Sequence, residues 1–299
     1  MDKLFAMQTF VRVVETGSFS AVARERNTSQ SNVSKQIAAL EDNLGAKLLT
    51  RTTRSLVLTD DGHQYFEEAR RLVSEVDEAE IRLRHGEEQL RGILRVAAPL
   101  AFGLRVLMPH VQNFLKLHPN IKIDLKLSDH IIDLVEEGVD LAVRITHLSD
   151  SGLIARRIGE SKAILTASQK YLLSLAHGLD LPHMPEDLQK HACIVYTERT
   201  TRNTWTFKDK QGNTTSVSVN GPLQSNSSEA VRAAVLSGLG IAYAPTWMFE
   251  DEIASGEMQV LMTDWSISPL PINLVCPSQR RQTAKVRAFS DYLAEVLKA

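Results

Sequence analysis

The stretch SQSNVSKQ near the N-terminus carries side chains that can bind nucleic acid. They are small or mildly basic, and together they offer the hydrogen-bond donors and acceptors that read base edges in the major groove: Gln30, Ser31, Ser34 and Lys35. Ser29 stands where an N-cap would, so a helix that starts at Gln30 would point its unpaired backbone N–H groups outward, toward a phosphate. This pattern is typical of a recognition helix. A plain amphipathic helix with a solvated polar face is the alternative.

An apolar stripe must hold this helix from the opposite side. Its residues recur at i, i+4, i+7 and i+11, which places them on one helical face: Val33, Ile37, Leu40 and Leu44. Two helices precede it. The first is predicted over residues 4–15 by a stripe of apolar residues: Leu4, Met7, Phe10, Val11 and Val14. Gly17 ends that helix, Ser18 can cap the second, and Asn27 and Thr28 form the turn before the third.

A basic turn between two short strands follows in LLTRTTRSLVL. The alternation predicts a hairpin with Arg51 and Arg54 at its tip. Beside a recognition helix, such a hairpin is a wing whose arginines reach a phosphate or the minor groove. A solvated turn without a DNA contact is the alternative.

Residues 59–91 predict one long helix with a narrow apolar seam. Asp60 and Asp61 suit the N-terminus of such a helix. Apolar residues then follow at alternating spacings of 4 and 3, the heptad pattern of a coiled coil: Tyr65, Ala69, Leu72, Val76, Ala79 and Leu83. The economical partner for this seam is the same helix of a second subunit, which gives a dimer with two recognition helices on one duplex. Packing against the chain's own C-terminal domain is the alternative.

The charges are segregated along the chain. Residues 1–58 hold eight Lys/Arg against five Asp/Glu, residues 59–91 hold five against ten, and the rest holds 21 of each, which gives the net charge of −2. Only the segment with the predicted recognition helix is basic, as a DNA-binding surface requires. The excess is small, so we expect one copy to bind weakly and with a strong dependence on salt.

The architecture changes near Gly92, because all ten prolines lie from Pro99 onward. Gly86 and Gly92 mark a hinge. Beyond them, strands alternate with helices, which predicts a mainly parallel sheet in an α/β domain. In the first half the strands are ILRVAA, IKIDLKLSD and DLAVRI, and the helices are LAFGLRVLMPHVQNFLKLH and IIDLVEEG. In the second half we expect strands in AILTAS, ACIVYT and IAYAPTW, a hairpin around Gly212, and the helix SSEAVRAAVLSGLG, before the final strand PINLVCP and a covering helix.

Motifs of catalysis and metal binding are absent from the sequence. There is no HExxH, GxSxG, P-loop or complete GxGxxG, so no enzyme activity is predicted. Cys193 and Cys276 belong to no CxxC or Cys/His cluster, so neither a metal nor a cofactor is expected, and a buried free thiol is favoured over a redox sensor. No run of 18 apolar residues and no secretory signal occurs, which predicts a cytoplasmic protein without a membrane partner.

Three consecutive segments resemble the winged helix-turn-helix of the LysR-type transcriptional regulators: GSFSAVARE, SQSNVSKQIAALEDNLGAKLL and RTTRSLVLTDDG. The resemblance continues through the whole chain. It implies a multidomain fold with an N-terminal all-α winged helix-turn-helix (1–58), a long linker helix for dimerisation (59–91) and a two-lobed α/β domain of the type 2 periplasmic-binding-protein kind (92–299). Lobe I is expected at about 92–162 and 267–299, and lobe II at about 163–266.

The resemblance also implies the function. It is sequence-specific binding of a double-stranded DNA operator by a homodimer or homotetramer, with a small-molecule effector of unknown identity that controls transcription through oligomer geometry. RNA polymerase is a further implied partner. The expected DNA contacts are Ser29, Gln30, Ser31, Ser34, Lys35, Arg51 and Arg54.

Two of these positions depart from the family pattern, since relatives often carry proline where Ser31 stands and arginine where Lys35 stands. A lysine lacks the fork that binds guanine with two hydrogen bonds. We therefore expect Lys35 to contact a phosphate or a single base acceptor.

Ligands of open α/β sheets bind at the carboxyl ends of the strands, where helix N-termini also point. With the family resemblance, this rule marks the candidate effector contacts: Ala98, Pro99, Leu100, Phe102, Ser128, Arg144, Tyr196, Thr197, Ser225 and Asn226. Asp129 follows the same strand as Ser128. Ala98, Pro99 and Leu100 replace the hydroxyl residues expected in relatives, which argues against a carboxylate effector held there and favours a more apolar ligand or none. Capping or loop structure explains each single residue about as well.

Three other classes of protein fit the sequence less well. A small-molecule binding protein without a DNA function would lack the N-terminal segment of about 90 residues. A nucleoid-type architectural protein would lack the α/β lobes and would bind every sequence nearly alike. An enzyme would need a polar constellation that the sequence does not contain.

Overall fold

The computed structural model describes residues 2–51, 56–85, 90–148, 152–175, 180–199, 201–277 and 283–297. The chain divides into two compact units. The first comprises Met1–Gln89 and Asp133–Gly138, and the second comprises Leu90–Ile132 and Val139–Ala299.

The first unit begins with three helices and a short hairpin: α1 (Lys3–Thr16), α2 (Phe19–Glu25), α3 (Gln30–Leu44), β1 (Leu49–Arg51) and β2 (Leu56–Leu58). The predicted caps are present. Ser18 Oγ accepts the backbone N–H of Ala21, and Ser29 Oγ accepts that of Asn32, each at 3.2 Å. Both α1 and α3 end at a glycine in the left-handed conformation, where a side chain would be strained.

The apolar stripe of α3 is buried as the spacing predicts. Val33 and Ile37 pack with α2, and Leu40 packs with α1. All three are less than 4% exposed. The helix is therefore held from one side only, and its opposite side is available to a partner.

The long helix α4 (Asp60–His85) follows β2, and Thr59 caps it by accepting the N–H of Gly62 at 2.9 Å. Its first turns complete the core of the same unit, because Ala69 is fully buried and the Tyr65 ring lies 5.7 Å from that of Phe10 in α1. The expectation that all six seam positions face a second subunit is thus wrong for Ala69 and is weakened for Tyr65, since α1 already covers them.

The remaining seam positions differ in how much the structure describes. Leu72 is 39% exposed, and Val76 is half-buried. The side chains of Ala79 and Leu83 lie outside the part of the chain that the structure describes. Gly86 of the predicted hinge also lies outside it. The surface available to a second subunit therefore begins at Leu72.

A buried carboxylate joins α3 to the hairpin. Glu41 accepts the backbone N–H groups of Leu48 at 2.9 Å and Leu49 at 3.2 Å, and the Lys47 ammonium at 2.7 Å. Burial alone would raise the pKa of Glu41, but these hydrogen bonds outweigh it and hold the pKa below its usual value. The carboxylate fixes the start of β1 against the C-terminal half of α3.

Two five-stranded sheets form the second unit. The first has the order β4-β3-β5-β14-β6, from β3 (Gly92–Ala98), β4 (Ile121–Leu127), β5 (Leu141–Ile145), β6 (Leu153–Ser161) and β14 (Leu270–Pro277). The second has the order β11-β8-β12-β7-β13, from β7 (Ala163–Ser168), β8 (Cys193–Tyr196), β11 (Gln224–Ser225), β12 (Ile241–Pro245) and β13 (Met258–Leu261).

Both sheets are mixed, which corrects the expectation of a mainly parallel sheet. In the first, β3 pairs in parallel with β4 and β5, but β14 runs antiparallel to β5 and β6. In the second, β8 pairs in parallel with β11 and β12, but β7 runs antiparallel to β12 and β13. The antiparallel strands arise because the chain passes between the sheets twice, so β14 returns to the first sheet from the opposite direction.

Helices cover these sheets: α5 (Leu100–Phe102) and α6 (Met108–Leu117), joined by the π-turn Gly103–Leu107, then α7 (Gln169–Ser174), α8 (Ser228–Leu236), α9 (Glu250–Ala254) and α10 (Ala284–Val296). Single 3₁₀ turns cover Pro185–Lys190 and Thr246–Met248. The hairpin of β9 (Thr204–Lys208) and β10 (Thr214–Ser218) lies around Gly212 as predicted. The ring centroid of Phe289 in α10 lies 4.8 Å from that of Phe114 in α6, so the C-terminal helix closes the core of the first sheet.

The helix predicted at residues 131–138 does not form. The segment makes a single turn, in which Asp133 Oδ1 accepts the N–H groups of Val135 and Glu136 and Gly138 ends the turn with φ of 61°. An aspartate that caps its own turn and a left-handed residue five positions later leave too little length for a helix.

We predict that Glu41→Gln lowers the stability of the first unit by about 1–3 kcal/mol, because buried N–H donors lose a charged acceptor. The folded pKa of Glu41 is lowered, so its stabilising contribution is complete above the unfolded pKa near 4.5 and is lost as pH falls through the folded value. Hydrogen exchange of the Leu48 and Leu49 amides at pH 7 measures the loss. The control is Glu68→Gln, which removes a carboxylate that pairs with Arg71 and whose side chain is 49% exposed. An equal loss of protection in both variants would contradict the role of Glu41.

Candidate nucleic-acid interface and ligand cleft

The polar face of α3 is exposed at the positions that the sequence marks. Gln30, Ser31 and Lys35 are exposed, and Ser34 is half-buried. The Ser29 cap is exposed as well. Short side chains on this face allow a duplex to approach the helix closely.

Local hydrogen bonds order the N-terminus of α3. Ser20 Oγ of α2 donates to Gln30 Oε1 at 3.1 Å, and the hydroxyls of Ser29 and Ser31 lie 2.9 Å apart. Because the side-chain oxygen of Gln30 already accepts from Ser20, its side-chain amide nitrogen is the group that would donate to a base acceptor in this arrangement.

A polar network that sequence reasoning did not find ties the three helices together. Arg26 Nη1, in the turn after α2, donates to Thr9 Oγ1 of α1 at 2.8 Å. The same hydroxyl lies 3.0 Å from Gln36 Oε1 of α3. Thr9 is fully buried, so this network fixes how α3 crosses α1. A threonine on the polar side of the α1 stripe carried no signal of its own.

The hairpin next to α3 has the expected antiparallel pairing, with Thr50 opposite Val57 and Arg51 opposite Leu56. Arg51 is the last residue of β1. The Arg51 side chain and the whole of Arg54 lie outside the described residues.

The second candidate site lies in the second unit, where the strand ends of the two sheets face each other. Pro99 and Leu100 begin the helical run over the first sheet and are half-buried. Ala98 and Phe102 belong instead to the apolar core, with exposures of 4% and 1%. Their expected role as ligand contacts is therefore not supported, since the end of β3 and the short helix α5 place these side chains in the core of the first sheet.

Several other predicted contacts already serve the fold. Arg144 Nη2 donates to the Ile132 carbonyl at 3.2 Å. Thr197 N–H donates to the Ser225 carbonyl at 2.9 Å, which extends the pairing of β8 with β11. Ser128 Oγ accepts the N–H of His130 at 3.1 Å and shapes the loop after β4.

Asp129 connects the loop after β4 to both helical runs. Its Oδ1 accepts the N–H of Leu100 at 3.1 Å, and its Oδ2 accepts the N–H of Ser228, the first residue of α8, at 2.7 Å. The Ser228 hydroxyl lies 3.0 and 2.8 Å from these two oxygens. The sequence places Asp129 at a strand end, but it does not indicate that the carboxylate reaches across to the second sheet.

Further polar contacts near Asp129 also join residues beside the first sheet to residues beside the second. Asn226 Nδ2 lies 3.1 Å from His130 Nε2, and His130 Nδ1 lies 3.3 Å from Glu198 Oε2. Arg105 Nε donates to Glu229 of α8 at 3.3 Å. Sequence patterns identified none of these pairs, because each joins residues about 70 to 120 positions apart that only the fold brings together.

Tyr196, at the end of β8, lies beside Asp129. Burial raises the pKa of its hydroxyl, and the charges of Asp129 and Glu198 together with a hydrogen bond to Asp129 raise it further. The hydroxyl therefore stays protonated and is a donor toward the carboxylate.

The remaining chemistry of the described residues is limited. Cys193 and Cys276 are both buried thiols outside any disulfide, and burial raises the pKa of Cys193 to about 12. No group of three His, Cys, Asp or Glu side chains suited to a metal ion occurs in the ranges that the structure describes. Within those same ranges, no helix has both the length and the apolar character to cross a membrane.

Comparison with protein families gives two matches. Residues 4–63 match the bacterial regulatory helix-turn-helix protein of the lysR family, and residues 87–298 match the LysR substrate binding domain. The two matches leave residues 64–86, which include most of α4, between them, and together they cover almost the whole chain.

One relative and two solved structures extend the comparison. The HTH-type transcriptional regulator CrgA of Neisseria meningitidis serogroup C is 37% identical over 97% of this chain and 96% of its own length. The solved structure of CrgA from Neisseria meningitidis is 36% identical, with a TM-score of 0.63 over 98% of each chain. The full-length structure of the Vibrio cholerae virulence activator AphB is 31% identical, with a TM-score of 0.61 over 98% of this chain and 99% of that one.

Proposed function

The chain belongs to the LysR family of transcriptional regulators, and from this we propose that the exposed face of α3 reads the operator sequence. As in the family, the protein is a transcriptional regulator with a DNA-binding helix-turn-helix and an effector-binding domain. The observation that carries the proposal is the division of α3 into a fully buried apolar stripe and an exposed polar face. Such a helix can enter a major groove without losing its support.

We assign separate roles to the side chains on this surface. Gln30 contacts a base edge through its amide group, and Ser31 and Ser34 allow close approach. Lys35 contacts a phosphate or a single acceptor, since an ammonium has no bidentate fork. Ser29 and the first N–H groups of α3 bind a phosphate, and Arg51 and Arg54 of the wing reach the backbone or the minor groove.

The protein acts as a homodimer or homotetramer in this proposal. The seam of α4 from Leu72 onward supplies the contact between subunits, and its later members are Val76, Ala79 and Leu83. Two recognition helices on one duplex make up for the small positive charge of each copy, because two sets of phosphate contacts multiply affinity.

The C-terminal α/β domain takes a small-molecule effector between its two sheets. Pro99, Leu100, Ser128, Tyr196 and Asn226 lie near this position, while Thr197, Ser225 and Arg144 support it. We propose domain limits of 1–58, 59–91 and 92–299, with lobe I at about 92–162 and 267–299 and lobe II at about 163–266. A bound effector shifts how subunits pack, and the operator complex or RNA polymerase responds to that shift.

Gln30→Ala and Lys35→Ala separate base reading from phosphate contact. We expect Gln30→Ala to relax specificity at particular base pairs, each worth about 1–3 kcal/mol. We expect Lys35→Ala to weaken operator and unrelated duplexes alike and to reduce the salt slope by about 1. Fluorescence anisotropy over a salt series measures both effects. Gln112→Ala and Lys122→Ala, which change exposed residues of the second unit, are matched controls. If Gln30→Ala weakened every duplex equally, its assignment to a base edge would be wrong.

A second test concerns the α4 seam. The double variant Leu72→Glu and Val76→Glu should sediment as a smaller species and lose operator affinity, because two buried charges on one seam repel their symmetry mates. Gln64→Glu adds a charge at an exposed position off the seam and should leave the mass unchanged. An unchanged mass in the double variant would exclude this seam as the subunit contact.

A further inference from the structure

The Asp129 carboxylate binds the first N–H groups of two helical runs that belong to different sheets. Leu100 begins the run over the first sheet, and Ser228 begins α8 on the second. Both carboxylate oxygens are used, at 3.1 Å to Leu100 N and 2.7 Å to Ser228 N. A carboxylate that accepts N–H groups at a helix start gains both hydrogen bonds and a favourable interaction with the helix dipole.

The groups around Asp129 form the kind of cradle that receives an anionic ligand. Ser228 is 7% exposed and adds its hydroxyl at 2.8 Å. Two backbone N–H groups and this hydroxyl converge on one point, where they would bind a free carboxylate well. In this chain the carboxylate seated there belongs to the chain itself.

The loop that carries Asp129 is held so that the carboxylate stays in this cradle. Ser128 N–H donates to the Ala98 carbonyl at 3.1 Å, which continues the pairing of β3 with β4 up to the preceding residue. On the other side, His130 contacts Asn226 and Glu198 of the second sheet. With both neighbours fixed, Asp129 keeps its position without any bound ligand.

We propose that the Asp129 side chain occupies an anion position of the effector cleft with the chain's own carboxylate, so that this position cannot take the carboxylate of a ligand. The inference rests on the proposed effector role of the cleft and deepens it. A second carboxylate at this point would lie against the negative charge of Asp129 and would find its donors already engaged. Ala98, Pro99 and Leu100 carry no side-chain donors, so the start of the first helical run offers a ligand carboxylate no alternative side-chain hydrogen bond.

Asp129→Ala tests this directly, with formate as the probe because it is the carboxylate that the substitution removes. Thermal unfolding of the full chain is followed through its three tryptophans, which all lie beyond residue 200. The wild type should unfold at the same temperature in sodium formate and in sodium chloride of equal ionic strength. Asp129→Ala should unfold at a lower temperature in chloride, and formate should raise that temperature in a saturable manner, because a ligand that binds only the folded state stabilises it.

Asp129→Ser is the second variant, since a small hydroxyl keeps one acceptor for the helix starts while leaving space for formate. A saturable rise in the unfolding temperature of either variant on addition of formate supports the proposal. No greater response to formate than to chloride in both variants overturns it, and so does equal stabilisation of the wild type by formate. The test does not depend on the effector: if the cleft has no effector role, the formate response still appears, whereas its absence removes this inference and leaves the proposed function standing.

Discussion

Support of α3 from one side alone is the constraint on which the rest of the N-terminal unit depends. A helix that enters a groove must leave one face exposed, so α3 packs through its other face. Val33, Ile37 and Leu40 are nearly or fully buried there, and Leu44 is partly buried beside them. Burial of each such side chain contributes about 1.5–3 kcal/mol. Apolar packing tolerates small rotations, and the hydrogen bonds of Glu41 to the wing and of Thr9 to Arg26 and Gln36 remove that freedom. Apolar packing thus determines the position of α3, and these hydrogen bonds determine its orientation.

A similar division holds in the C-terminal domain. Its two apolar cores keep each sheet intact, and polar groups at the strand ends determine how the sheets meet. Arg105 and Glu229 are each 30% exposed, and such a pair contributes at most about 1 kcal/mol. Asp129 has a larger effect because it accepts backbone N–H groups at 2.7 and 3.1 Å from both sides of the cleft. The chain therefore holds the ends of the two sheets together with its own carboxylate.

Periodic features were predictable from the sequence, and features that depend on tertiary contacts were not. The spacing of Val33, Ile37 and Leu40 determines which face of α3 is buried, and Ser29 determines where the helix begins. The heptad pattern of α4 could not reveal that α1 covers Ala69, because the same apolar spacing serves a contact within one chain or between two. The cleft positions followed from strand ends, but Phe102 turned out to be core. The contact of Asp129 with Ser228 spans 99 residues of sequence and leaves no local pattern.

Sequencing the duplexes that the full-length chain retains from a randomised pool measures whether α3 reads a particular sequence as part of a symmetric assembly. We expect enrichment of one inverted repeat, with half-sites separated by about a whole number of helical turns of roughly 10 base pairs. Retention of all sequences alike, with no enriched motif at any salt concentration, would contradict it.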